Sequence, residues 1–153
     1  DNARVLLHFD NGAKGVLHAS QVSIGEENNL AIWVHGERAS IEWHQEHPNY
    51  LYVKEPDGPV QVWRRGNGCV AEKSTAAARA TRLPSGHPEA FLEAFANIYA
   101  NFAATLRACL KDINPTELEL DFPGVNDGLR GMLFIKTVLK SSRSMQKWVP
   151  MME

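Results

Sequence analysis

Between residues 3 and 65 apolar and polar side chains alternate in short runs, and each run ends in residues that favour a reversal of the chain. The runs at 3–9, 14–24, 29–35, 39–43, 50–54 and 59–65 are predicted to be β-strands, because a period of two sends alternate side chains to opposite faces of a pleated sheet. Asp10-Asn11-Gly12, Gly36-Glu37 and Asp57-Gly58 supply residues that tolerate the positive φ of hairpin turns. Connections this short place consecutive strands side by side in a meander.

The alternation separates two sets of side chains. Val5, Leu7, Phe9, Leu30, Ile32, Val34, Ile41, Leu51, Val53, Val60 and Val62 can share one aliphatic face, which helices must cover. The alternate positions bring His8, His18, Ser20, Glu42 and Arg65 together with Trp33, His35, His44, Tyr50, Tyr52 and Trp63. The last six form a face too aromatic for plain solvent surface, and they are the candidate interface residues.

Beyond the strands, residues 66–86 read as a long connection rich in Gly, Ala, Ser and Thr. Arg79 and Arg82 make it a candidate lid over an anionic or polyhydroxylated ligand. A helix is predicted over 88–111, where Phe91, Phe95, Ile98, Phe102, Leu106 and Cys109 recur at spacings of three and four. A second is predicted over 125–142 with Leu129, Met132, Ile135 or Lys136, and Leu139 on its stripe, and 147–151 is a candidate further strand. The expected fold is α+β. It is an open, mainly antiparallel sheet of six to seven strands, with two main helices on one face and an interface on the other. Residues 1–153 read as a single domain without internal repeats.

Composition narrows the function classes. A formal net charge of −2 leaves no clustered basic excess for nucleic acid or an anionic membrane. No apolar run reaches the roughly 18 residues of a membrane span, and a cytoplasmic location is the expectation. Cys69 and Cys109 fit neither a disulfide framework nor a metal site. His44 and His47, even with Glu42, lack the convergent ligand set of a metal centre, so no metal is expected. Gly66-Asn67-Gly68-Cys69-Val70-Ala71 spells the dinucleotide-binding turn. It lacks the apolar helix stripe and the distant acid that the mechanism requires. There is no activated nucleophile. His87, between Gly86 and Pro88 where the long connection meets the first helix, is placed either to reach a ligand or to cap that helix.

The stretch from Arg82-Leu83-Pro84-Ser85-Gly86-His87-Pro88-Glu89 through Ala96-Asn97-Ile98-Tyr99 resembles the loop and helix of the C-terminal domain of the Gfo/Idh/MocA oxidoreductases. So do Asp121-Phe122-Pro123-Gly124, the helix after it, and Lys147-Trp148-Val149-Pro150. The likeness is collinear over nearly the whole chain. It implies a C-terminal α+β domain that shapes the substrate site and pairs subunits as a homo-oligomer. Such a domain is joined in the family to a Rossmann domain for NAD or NADP, and the family's catalytic Lys, Asp and His have no matching positions here.

The chain begins without Met inside a strand pattern, so a fragment of a longer two-domain enzyme is expected, with no cofactor of its own and inactive in isolation. On this resemblance His87, Arg82 and Gln21 are the candidate contacts to a small sugar, cyclitol or related polyol. A stand-alone, non-catalytic module that dimerises or binds a small ligand is the alternative.

Overall fold

A computed structural model of the chain describes residues 1–151. Six strands form where the alternation placed them: β1 (Asn2–His8), β2 (Lys14–Ser20), β3 (Ala31–His35), β4 (Ser40–His44), β5 (Tyr50–Lys54) and β6 (Gln61–Arg64). Every pairing is antiparallel, which bears out the α+β class. The strands divide into a β1-β2 hairpin and a four-stranded meander in the order β3-β4-β5-β6.

The division follows from the way β2 ends. Ser20 Oγ accepts from the Val22 N–H at 3.2 Å and from Ser23 Oγ at 2.9 Å, and this local turn stops the strand four residues before the alternation does. The chain therefore falls into two compact units. One is Asp1–Glu26 with the segment from Pro123 onward, and the other is Glu27–Phe122.

In the first unit Val5 faces Leu17 and Leu7 faces Gly15 across the hairpin. A side chain at Gly15 would press on the Phe9 ring at 3.3 Å. The tail expected as a further strand is irregular, and its Trp148 stacks on the His8 ring with centroids 3.8 Å apart.

The register of the meander sorts its side chains by face, because residues directly opposite one another share a side of the sheet. One side carries two cross-strand rows, Ile32-Trp43-Leu51-Trp63 and Val34-Ile41-Val53-Gln61. Trp63 thus lies on the aliphatic side, not with Tyr50 and Tyr52 as the alternation suggested, and Val62 takes the place expected for it. The cause is the β5-β6 turn, which sets Gln61 opposite Val53 and so inverts the face of every residue in β6.

Cover on the aliphatic side is graded. Val53 is buried, whereas Ile32 at the β3 edge is 55% exposed. Lys73 closes the β6 end, with its ammonium 5.2 Å from the Trp63 ring centre.

Among the described residues there are four helices: α1 (Gly68–Lys73), α2 (Thr75–Ala80), α3 (Phe91–Cys109) and α4 (Val125–Ser142). The first two fall within the connection read as irregular. Six residues are too few to show an apolar stripe, and the visible signal is Ser74, whose Oγ caps α2 by accepting from Ala77 N–H at 3.1 Å. The helix α4 matches its predicted bounds. The start of α3 is three residues later than the Pro88 pattern indicated, because Glu89 is drawn away from the helix and Glu93 turns back to accept from Ala90 N–H at 2.8 Å. That bond holds the Glu93 carboxyl below its ordinary range.

The covered sides of the long helices are not the predicted ones. On α3 it is Glu93, Asn97, Asn101, Ala103, Ala104, Thr105 and Ala108 that are partly covered, while Phe91, Phe95 and Phe102 stay exposed. The polar stripe has partners: Asn97 Nδ2 donates to Ala80 O at 3.4 Å, Asn101 Nδ2 to Asp121 O at 3.0 Å, and Thr105 Oγ1 to Glu119 O at 2.8 Å. On α4 the buried residue is Thr137, flanked by the half-covered Leu133, Phe134 and Val138, and Leu129, Met132, Ile135 and Leu139 are exposed.

The opposite side of the meander carries Trp33, His35, Glu42, His44, Tyr50, Tyr52 and Lys54. Glu42 is its centre. Its carboxylate accepts from Lys54 Nζ and pairs with His44 Nε2 at 2.6 Å, and the His44 ring meets Trp33 and Tyr52 edge-on. The Lys54 and His44 hydrogen bonds pull the Glu42 carboxyl from an ordinary 4.5 down to about 2. A carboxyl depressed by folding stabilises above its unfolded value and loses that contribution as it protonates. Acid titration followed by tryptophan fluorescence is therefore expected to show a stability component lost between about pH 4.5 and about pH 2. Glu42→Gln should remove it.

Candidate functional site

Asn49 ends the turn before β5, Arg65 follows β6, and Glu89 precedes α3, so three separate segments bring one polar cluster together. Arg65 Nε donates to Asn49 Oδ1 at 2.8 Å, and the same oxygen accepts from the Glu89 N–H at 3.0 Å. The guanidinium donates further to the Glu89 carboxylate, to Leu83 O at 3.0 Å, to Pro84 O at 3.4 Å and to His87 O. Glu89 also accepts from the N–H groups of Arg82, at 3.0 and 3.1 Å, and of Leu83, at 3.3 Å. Its side chain is 4% exposed and that of Arg65 17%.

A charge pair this sheltered is stable only when its remaining donors and acceptors are met. Here the partners are the backbone of residues 82–87. The pair therefore fixes the course of that loop as well as neutralising itself.

Gly66 completes the docking. Its φ of +79° is open to glycine, and an added Cβ would lie 3.0 Å from Ser85 N and 3.2 Å from Ser85 Cα. This accounts for the first glycine of the dinucleotide-like motif. The motif follows an antiparallel strand and opens the six-residue α1, and its freedom is spent on the Ser85 backbone. Residues 66–71 do not fit a dinucleotide pyrophosphate.

Docking of the loop leaves a cleft of about 300 Å³ lined by Asn49, Tyr50, Arg64, Arg65, Asn67, Ser85, Gly86, His87 and Pro88. His87, singled out from the sequence, lies on it. Its carbonyl is held by Arg65 and its N–H donates to Pro84 O at 3.2 Å. Arg82 is engaged elsewhere: Nη1 donates to Glu93 O on α3 at 3.2 Å. Gln21 falls just past β2 in the other unit, exposed, with its N–H on Asp1 O at 2.8 Å.

Arg79, the other arginine of the expected lid, donates through Nε and Nη2 to Asn101 Oδ1 at 3.2 and 3.1 Å, tying α2 to α3. The loop is clamped rather than free. Sequence reasoning missed Tyr50, Arg64 and Asn67 as neighbours of His87, and it missed the Arg65–Glu89 pair. Those partners lie 24 residues apart and carry no local pattern.

Among the described residues no group of three His, Cys, Asp or Glu side chains converges to hold a metal ion, and both cysteines are free and exposed. No helix among them is long and apolar enough to cross a membrane.

Comparison with known proteins places these features. A family model described as the C-terminal alpha/beta domain of an oxidoreductase family matches residues 1–151. An uncharacterized oxidoreductase, YfiI, of Bacillus subtilis is 32% identical over 149 residues, which are 97% of this chain and 37% of the relative. A solved oxidoreductase from Sinorhizobium meliloti is 40% identical with a TM-score of 0.86, covering 98% of this chain and 41% of that one. An inositol dehydrogenase homologue from Azotobacter vinelandii, solved with NADH and myo-inositol, is 33% identical with a TM-score of 0.83 over 94% of this chain and 38% of its own. The chain thus spans well under half the length of each.

Removing one member of the sheltered pair strands the other. Arg65→Met is expected to destabilise the fold by about 3 to 5 kcal/mol in urea denaturation. The matched double change Arg65→Met with Glu89→Leu should recover part of that loss.

Proposed function

This chain belongs to the Gfo/Idh/MocA oxidoreductase family, as its C-terminal domain, and on that footing we propose that it is the substrate-side and subunit-pairing part of an NAD(P)-dependent enzyme acting on a sugar, cyclitol or related polyol. The observation that carries the reading is the clamped loop, which presents His87 on a polar cleft beside Tyr50 and Arg64. Such a cleft offers hydroxyl-sized donors and acceptors in place of water. A relative solved with NADH and myo-inositol supports both the cofactor and the substrate class.

Hydride transfer needs a nicotinamide held against the substrate carbon and a base for the hydroxyl proton. The turn at 66–71 is not built for the cofactor, so these residues contribute contacts and surface. Their part is to orient the substrate and exclude water from it. Offered NAD(H) or NADP(H) and a panel of polyols, the 153-residue chain is expected to show no turnover, and steady turnover would overturn the reading. In the complete enzyme His87→Ala should raise KM for the polyol roughly tenfold, the equivalent of one lost hydrogen bond.

The second reading, a stand-alone pairing module, is favoured by the aromatic side of the meander, where Trp33 is 53% and Tyr50 40% exposed around the Glu42 cluster. Both readings make that side the contact between copies of the chain, with His35, His44 and Tyr52 beside Trp33, and they part on cofactor use. Trp63, on the other side of the sheet, is not in this patch. Sedimentation should show Trp33→Glu shifting the protein toward monomer. An unchanged oligomer would remove this surface from consideration.

A further inference from the structure

The cleft beside His87 has a surplus of hydrogen-bond donors and no carboxylate. Tyr50 and Arg64 are directly opposite each other across β5 and β6, so their side chains leave the sheet on the same side. Asn67 comes from the turn after β6, and Ser85 and His87 from the docked loop. Among the described residues the side chains of Tyr50, Arg64, Asn67, Ser85 and His87 have no hydrogen-bond or ion-pair partner.

The neighbouring acceptors are already used. Asn49 Oδ1 serves Arg65 Nε and the Glu89 N–H, and the Glu89 carboxylate serves Arg65 and two backbone N–H groups. Arg65 is neutralised by Glu89. Among the described residues Arg64 is left as a guanidinium without a counter-ion, lining a cleft.

A guanidinium has five donors and no acceptor, whereas a sugar hydroxyl both donates and accepts. The group that complements it is acceptor-only and negatively charged, a carboxylate or a phosphate. A neutral polyol would leave this side chain poorly matched. Tyr50, Asn67 and Ser85 can both donate and accept, which suits hydroxyls. The volume of about 300 Å³ is at the lower end of small-molecule sites, the scale of a single sugar unit.

We infer that the cleft takes an anionic polyol, with the acid group on Arg64 and the hydroxyls on Tyr50, Asn67 and Ser85. The inference rests on the polyol reading given above and narrows its substrate class. His87 lines the same cleft and adds ring nitrogens that can hydrogen-bond the same ligand.

Calorimetric titration of the protein with glucuronate, glucose 6-phosphate, inorganic phosphate, glucose and myo-inositol tests it. Either glucuronate or glucose 6-phosphate is expected to bind at least about tenfold more tightly than the two neutral compounds. The preference should weaken as salt is raised and vanish in Arg64→Gln. Tighter binding of glucuronate identifies a carboxylate ligand, and tighter binding of glucose 6-phosphate than of inorganic phosphate identifies a phosphorylated one. Equal affinity for charged and neutral compounds overturns the inference, as does a preference that survives Arg64→Gln. If that variant does not fold, an anion affinity of the unaltered protein that is insensitive to salt overturns it too. Turnover of myo-inositol without any anion preference would remove the inference and leave the oxidoreductase reading in place. Anion binding without turnover of any polyol by the complete protein would do the reverse.

Discussion

The pairing of Arg65 with Glu89, shared through Asn49, is the constraint on which the Glu27–Phe122 unit depends. Sheltering two charges is unfavourable until every donor and acceptor is met, and the partners available are backbone groups of residues 82–87. The loop therefore has one course. Because Glu89 is pulled toward Arg65, α3 begins at Phe91, and because the loop is pinned, Ser85 and His87 line a cleft instead of moving in solvent. Gly66 permits the close approach that makes this possible.

The same unit uses hydrogen bonding where amphipathic patterning would suggest apolar packing. Asn97, Asn101 and Thr105 recur every four residues along α3 and bind carbonyls on the segments to either side. Their stripe is the covered one. The phenylalanine stripe and the β3 edge of the aliphatic sheet face remain open, and in the other unit the Leu129, Met132 and Leu139 side of α4 is exposed. Each of these bonds ties α3 to a carbonyl of a neighbouring segment, so the ladder fixes which side of the helix faces those segments.

Much of this was legible in the sequence, for definable reasons. Strand existence follows from a period of two and from turn residues, both local signals, so β3, β4 and β5 lie within a residue or two of expectation. The bounds of α4 follow from its pattern and from Asp127, which accepts from the Gly124 N–H at 2.8 Å. Family membership was carried by collinear motifs and holds over residues 1–151. The face of Trp63 was not legible, since one residue of register in the β5-β6 turn inverts it. Nor were α1 and α2, whose lengths are too short for a period to register. Of the three candidate ligand contacts His87 lines the cleft, whereas the Arg82 guanidinium is drawn to a helix carbonyl that nothing in its own neighbourhood announces.

Local chemistry alone determined that this chain makes an antiparallel α+β fold, where its turns fall, and that the loop bearing His87 is held apart from ordinary hairpins. Each of these is a property of residues within a few positions of one another. Only the tertiary structure decided that Asn49, Arg65 and Glu89 meet, that Arg64 and Tyr50 line one cleft with His87, and which stripe of each helix is covered. Those outcomes depend on partners 14 to 40 residues apart and on the need to satisfy every sheltered polar group at once.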